Sequence, residues 1–318
     1  MLNRRYIRVK VFQALYAFFE SGEDADILTF EKNIFKSIDK IYDLYLYLLL
    51  TVLEFRQIAE EIIETRKNKF FPTEEDLNPN LKFINNKVID ILFNNQQFLR
   101  AIEQRKINWS NDREELKKIW KEIAQSDDYK KYMSNRENDF EEDKSFLIKI
   151  LKKYLFTNEL IQFLFEERSI YWEDDYALAA VSTVKTIRQL SENTMPHDNI
   201  LLPLYKDQED DTDFLKSLFR TTIKHSKEFE QLIASKTQNW EIDRIAVIDK
   251  ILMEMALAEM LYFPNIPYKV TINEYIELSK HYSTPKSRIF INGILDKLYY
   301  TLKNEGKIKK AGRGLIDK

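Results

Sequence analysis

Cysteine is absent from all 318 residues, so the chain can hold neither a disulfide framework nor a thiolate nucleophile. That composition fits a reducing compartment and leads to the expectation of a cytoplasmic protein. Glycine is nearly as scarce. With only Gly22, Gly293, Gly306, Gly312 and Gly314, no G-x-G-x-x-G or Walker loop can be built, which excludes phosphate cradling by a glycine-rich turn. The three histidines, His197, His225 and His281, lie far from metal-ligand spacing to one another, and no cysteine can complete a zinc site of the usual kinds. The longest apolar run, Leu44 to Leu53, is too short for a bilayer and lies in a helical pattern, so it is expected to be core. The start is charged from Arg4 and has no signal-like apolar stretch, so neither a leader nor a membrane partner is expected. Sustained strand-type alternation is missing as well.

What remains is helix. Apolar residues recur at spacings of three and four over residues 4–20, 31–68, 87–106, 112–124, 143–168 and 173–191. An Asn- and Pro-rich loop spans 70–86, and an acidic, Pro-containing segment at 191–213 is the best boundary. The fold class expected is all-α. Acidic residues abound, but no pair sits in a setting that separates an acid from a base, so the case for an enzyme is weak. No cofactor is expected.

Charge is unevenly spread. The net charge is −3, but residues 1–20 carry +3 and residues 264–318 carry +6, which leaves −12 for residues 21–263. Cationic ends on an acidic body are an electrostatic footprint for nucleic acid. On a helix Arg4, Arg5 and Arg8 fall within roughly 100° of arc. Guanidinium groups there oppose the helix dipole, so they cost local stability and suit a binding role. A second cluster, Lys280, His281, Tyr282, Ser283, Thr284, Pro285, Lys286, Ser287 and Arg288, joins two helices. Thr284-Pro285 reads as an N-cap followed by proline at the first helical position. The cluster mixes cations, hydroxyls and an aromatic ring, the ingredients for single-stranded RNA.

The segment IPYKVTINEYIELSKHYST, followed by S-x-x-FINGILDKL, resembles the C-terminal half of the NusB family of bacterial transcription antitermination factors. NRRYIRVKVFQALYAFFE resembles the first helix of the same family. The likeness covers about residues 3–20 and 207–303 of a chain roughly twice the family's usual length. It implies four parts: a first helix in 1–22, an all-α extension over 23–206, a NusB-like helical domain at 207–305 and a flexible basic tail at 306–318. It further implies a non-enzymatic protein that binds a boxA-type single-stranded element of nascent ribosomal RNA. The family does so with NusE, a ribosomal protein, on the RNA polymerase elongation complex with other Nus factors.

The residues carried over as RNA contacts are Arg4, Arg5, Arg8, Gln13 and Tyr16 at the start, and Lys280, Tyr282, Lys286, Ser287, Arg288 and Phe290 near the end. Lys286 stands where the family usually has an acid, which should raise electrostatic affinity. Phe290 lies on an apolar stripe, so a core role stands beside the contact role. Gly293 is expected to permit close helix packing, and Glu274 and Glu277 to cap or pair. The alternatives are a domain appended to an RNA cytosine methyltransferase, or a helical interaction scaffold without RNA binding.

One internal pattern falls outside that resemblance. At an offset of 68, Asp143, Phe146 and Leu147 match Asp211, Phe214 and Leu215, and Trp172-Glu173 and Asp175 match Trp240-Glu241 and Asp243. Each copy would be a helix of about seven turns, a W-E-x-D turn and a second helix. Two amphipathic hairpins coinciding by composition would give the same pattern.

Overall fold

The computed structural model describes residues 1–22, 25–135, 139–237 and 245–315. The described residues form fourteen α-helices and no strand, as expected for an all-α chain. They are α1 (Arg4–Glu20), α2 (Ile27–Lys67), α3 (Glu74–Leu77), α4 (Lys87–Asn94), α5 (Gln96–Arg105), α6 (Arg113–Gln125) and α7 (Asp127–Ser134). After these come α8 (Phe140–Ile150), α9 (Glu159–Arg168), α10 (Tyr176–Gln189), α11 (Gln208–Ala234), α12 (Val247–Tyr262), α13 (Tyr268–Tyr282) and α14 (Pro285–Asn304). Among the described residues no helix is long and apolar enough to cross a membrane. The chain divides into two compact units, Met1 with Ser37–Leu204, and Leu2–Lys36 with Tyr205–Lys318.

The first unit is organised around α2. Its apolar run is largely inside: Leu44, Tyr45, Leu46, Leu48, Leu49 and Val52 are each shielded from solvent, while Tyr47 and Leu53 are half-buried. Aromatic side chains enclose it. Trp109 Nε1 donates to the Tyr47 carbonyl at 3.2 Å and Trp172 Nε1 to the Lys40 carbonyl at 2.7 Å, so each indole buries its bulk and still satisfies its N–H. Short helices then pack outward, most of them started by a side-chain cap. Asn86, Asn95, Ser126, Asp139 and Asn158 accept from the first turns of α4, α5, α7, α8 and α9.

Those caps explain where the periodicity misleads. The pattern over 87–106 continues through Asn95, but the helix does not. Asn95 accepts from Phe98 N, and its amide donates to the carbonyls of Pro196 and Asp198. Three bonds to one side chain favour a break over a continued turn. The pattern over 143–168 is interrupted by a π-helical turn at Leu151–Leu155 and restarts at the Asn158 cap. The proposed repeat is therefore uneven. Asp143, Phe146, Leu147 and their partners Asp211, Phe214 and Leu215 are all buried, but α11 is unbroken over 27 residues where its counterpart is not. Trp240, Glu241 and Asp243 lie outside the described residues.

In the second unit α12 is the central helix. Every residue from Ile251 to Met260 is buried, including Glu254 and Glu259. Helices α1, α11, α13 and α14 pack around it. The segment expected to be a flexible basic arm is held against its end. Lys310 Nζ donates to the carbonyls of Glu259 and Phe263, closing the exposed C-terminus of α12, and Ala311 N donates to the Pro264 carbonyl. Gly314 sits where a Cβ would lie 1.9 Å from the Pro264 oxygen, so only glycine fits.

Candidate nucleic-acid interface

The two cationic segments of the sequence belong to the same unit, and their side chains link across α1 and α13 at two levels. Arg5 meets Glu274 with Nε at 3.0 Å and Nη2 at 2.8 Å from the carboxylate, and Gln13 Nε2 lies 3.5 Å from the Tyr282 hydroxyl. The register difference is 269 residues at both levels, so the two helices run in the same direction. The Phe12 and Tyr282 rings, with centroids 4.8 Å apart, complete the second level.

Beneath this face lies a buried polar centre. Arg8, 2% exposed, forms a bidentate pair with Glu259, both contacts at 2.8 Å. Thr271 Oγ1 at 2.8 Å and the Tyr275 hydroxyl at 3.2 Å donate to the same carboxylate. Four donors on one carboxylate offset the cost of burying it. Burial opposes the charge on Arg8, but Glu259 overcomes that and holds the guanidinium above its usual range. Tyr275 is pushed well up, by burial first and then by the neighbouring carboxylate.

The turn after α13 is fixed from both sides. Ser283 Oγ donates to Asp249 on α12 at 2.5 Å, and Thr284 caps α14 by accepting from Ser287 N at 3.1 Å, with Pro285 at the first position as expected. This presents Lys286 and Arg288 to solvent, and among the described residues neither has an ion-pair partner. Lys280 is exposed and paired with Glu277. Tyr282, Ser287 and Phe290 are half-buried and Tyr16 is exposed.

The arginines divide three ways. Arg8 is the correction: it faces the core and cannot reach a ligand while Glu259 holds it. Arg4 faces α11, paired with Asp210 and 3.4 Å from Asp211, its guanidinium 4.1 Å over the Phe214 ring. Arg5 alone lies on the outer α1–α13 face, half-exposed, its charge held up by the hydrogen bonds it donates to Glu274. Gly293 also differs from expectation. Nothing lies within 4 Å of where its Cβ would be, so it does not serve close helix packing.

Sequence reasoning missed Glu259, Thr271, Tyr275 and Lys310. The signal was present in MEMALAEMLY, where two glutamates interrupt an otherwise apolar helix and so require buried partners. Glu254 is less well served. It accepts from Ser226 Oγ at 3.0 Å, while its other oxygen has no partner among the described residues, and burial pushes it up to about 7. Among the described residues no cluster of His, Asp and Glu could hold a metal ion.

The model of the NusB family matches residues 175–300. Curated relatives agree. The "Transcription antitermination protein NusB" of Salinibacter ruber is 44% identical over 120 residues, which is 38% of this chain and 74% of that protein. Its namesake from Chloroherpeton thalassium is 48% identical over 105 residues, 33% of this chain and 50% of that protein. A third, from Thermodesulfovibrio yellowstonii, is 41% identical over 95 residues, 30% of this chain and 63% of that protein. The match thus spans half to three-quarters of these relatives and about a third of the chain. No solved structure matches it. On the strength of the family model and a relative matched over most of its length, the chain belongs to the NusB family.

Proposed function

We propose that this protein is a non-enzymatic, RNA-binding transcription antitermination factor. It binds a boxA-type single-stranded element of nascent ribosomal RNA, together with NusE, on the transcribing RNA polymerase. The observation that carries the reading is the meeting of α1 and α13 at Arg5–Glu274 and Gln13–Tyr282, which joins segments 269 residues apart into one face. That face offers Arg5, Lys280, Lys286 and Arg288 for phosphates, Gln13 and Ser287 for base edges, and Tyr16, Tyr282 and Phe290 for stacking. Arg4 contributes only if it leaves Asp210, and Arg8 acts by holding α1 in place.

The working division keeps residues 1–22 and 207–305 as the family-like part, 23–206 as the extension and 306–318 as the tail. The family match reaching back to residue 175 favours counting α10 with the family-like part. Binding of a labelled boxA-like single strand, followed by anisotropy over a salt series, tests the assignment. Arg5→Ala should weaken binding and reduce the slope of log affinity against log salt by about 0.7, one phosphate contact. An unchanged slope in the folded variant removes α1 from the site. Hydrogen exchange with and without RNA should show protection confined to residues 3–16 and 280–292.

A further inference from the structure

The first unit carries an apolar patch on α9 that no packing within the described residues uses. On the outward face of α9, Leu160 and Phe163 are 45% and 54% exposed, one turn apart, and Ile170, just beyond the helix, is 85% exposed. Large apolar side chains are normally exposed singly; three within eleven residues on one short element form a patch.

The charges around it have one sign. Glu159, Glu166 and Glu167 share the outward face of α9 with Leu160 and Phe163, and Glu173 follows in the next turn. All four are exposed, and among the described residues none has a hydrogen bond or ion pair through its side chain. The cation of the helix, Arg168, points the other way, paired with Asp112 and stacked 5.0 Å from the Tyr47 ring. Several acids elsewhere on this unit are matched: Glu114 and Glu115 pair with Lys117 and Lys118, and Asp128 with Lys149 and Lys153. On α9 the unpaired acids surround three exposed apolar side chains.

We propose that this face docks a cationic amphipathic segment of a protein partner. Leu160, Phe163 and Ile170 receive its apolar side chains, and Glu159, Glu166, Glu167 and Glu173 pair with flanking Lys or Arg. Charge complementarity selects the occupant. A nucleic acid would bring phosphates against four carboxylates with no neutralising cation, and a second copy of α9 would bring acid against acid. The site is separate from the proposed RNA face and does not depend on that reading.

The test uses the full-length chain and labelled synthetic helical peptides. One has leucines at a helical spacing on a lysine background, one replaces lysine by glutamate, and one replaces leucine by serine. The leucine–lysine peptide should bind, and the other two should bind at least about tenfold more weakly. Leu160→Ser with Phe163→Ser should cost about tenfold or more, as should Glu166→Lys with Glu167→Lys, and the charge reversal should also flatten the salt dependence. These side chains are on the surface, so the variants should unfold like the parent. Glu103→Lys with Glu122→Lys, an equal charge change elsewhere on the unit, should leave binding within about twofold. An equal loss in that control pair, tight binding of the serine peptide, or binding unaffected by both α9 variants would overturn the proposal. So would concentration-dependent dimerisation of the chain that the α9 variants abolish.

Discussion

The two units solve the problem of buried polarity in different ways. In the first, aromatic rings fill the core, and neutral amides and indoles carry many of the polar contacts, beside the buried carboxylate of Asp143, which accepts from the Tyr132 hydroxyl and Lys87 N. Asn86 caps α4 and donates to the Tyr132 hydroxyl and the Asp143 carbonyl, Asn95 joins α5 to the 196–198 segment, and Trp109 and Trp172 bond to the backbone of α2. In the second, α12 itself brings Met253, Met255 and Met260 into the core among aliphatic side chains, and the central polar contact is an ion pair. Neutral caps can be placed one helix at a time and suit many short elements. A buried charge pair fixes three helices at once, and losing one partner leaves the other stranded in the core.

The largest expected effect follows from that contrast. Arg8→Ala should destabilise the second unit by about 3–5 kcal/mol, the cost of an uncompensated buried carboxylate. Arg8→Met with Glu259→Leu should regain much of the loss, because apolar groups of similar size carry no desolvation cost. Urea unfolding followed by far-UV circular dichroism measures both, and equal stability of the two variants would remove charge burial from the explanation. The corresponding change in the first unit should be smaller. Asn95→Ala removes a cap and two carbonyl contacts and should cost about 2 kcal/mol. A cost as large as that of Arg8→Ala would erase the distinction between the units.

Smaller effects are expected at the surface. Lys286→Asp should weaken RNA binding by about 1 kcal/mol, one lost contact and one new repulsion, with stability unchanged. Equal or tighter binding would show that the turn faces away from RNA. The smallest concerns Lys310, which burial lowers to about 8 although Glu259 opposes the shift. A free lysine titrates near 10.4, so between about 8 and that value the undocked tail holds more protons than the docked one. Docking should therefore strengthen as pH rises through this window and be insensitive to pH below it. The Lys310 Cε resonance should titrate near 8 in the protein and near the ordinary value in a peptide of residues 306–315. Gly314→Ala, which cannot seat against Pro264, should move the protein's midpoint toward the peptide's.

Much of the fold was legible because helical periodicity is local. The core run at 44–53, the Thr284-Pro285 start of α14 and the pairing of Glu277 with Lys280 can all be read from spacing and residue type. What failed was long-range. The amide of Asn95 breaks a periodic pattern by bonding to carbonyls about a hundred residues away. Helix α7 was passed over because DDYKKYMS has a single buried side chain, Tyr132, and almost no apolar stripe. Arg8 looked like its two neighbours because three arginines within one arc are equivalent until the buried Glu259, 251 residues later, chooses one of them.

That separation has a consequence for synthesis. A ribosome adding about 5–20 residues per second needs roughly 12–50 s to travel from Arg8 to Glu259. Throughout that interval α1 has emerged without the carboxylate that will hold it, while residues 37–204 are completed and can reach their own core. The second unit is thus assembled around an insertion already made, with its first helix waiting as an amphipathic, arginine-bearing segment. A nascent chain halted before residue 259 should keep α1 open to protease although the intervening unit resists cleavage, and extension past α13 should close it.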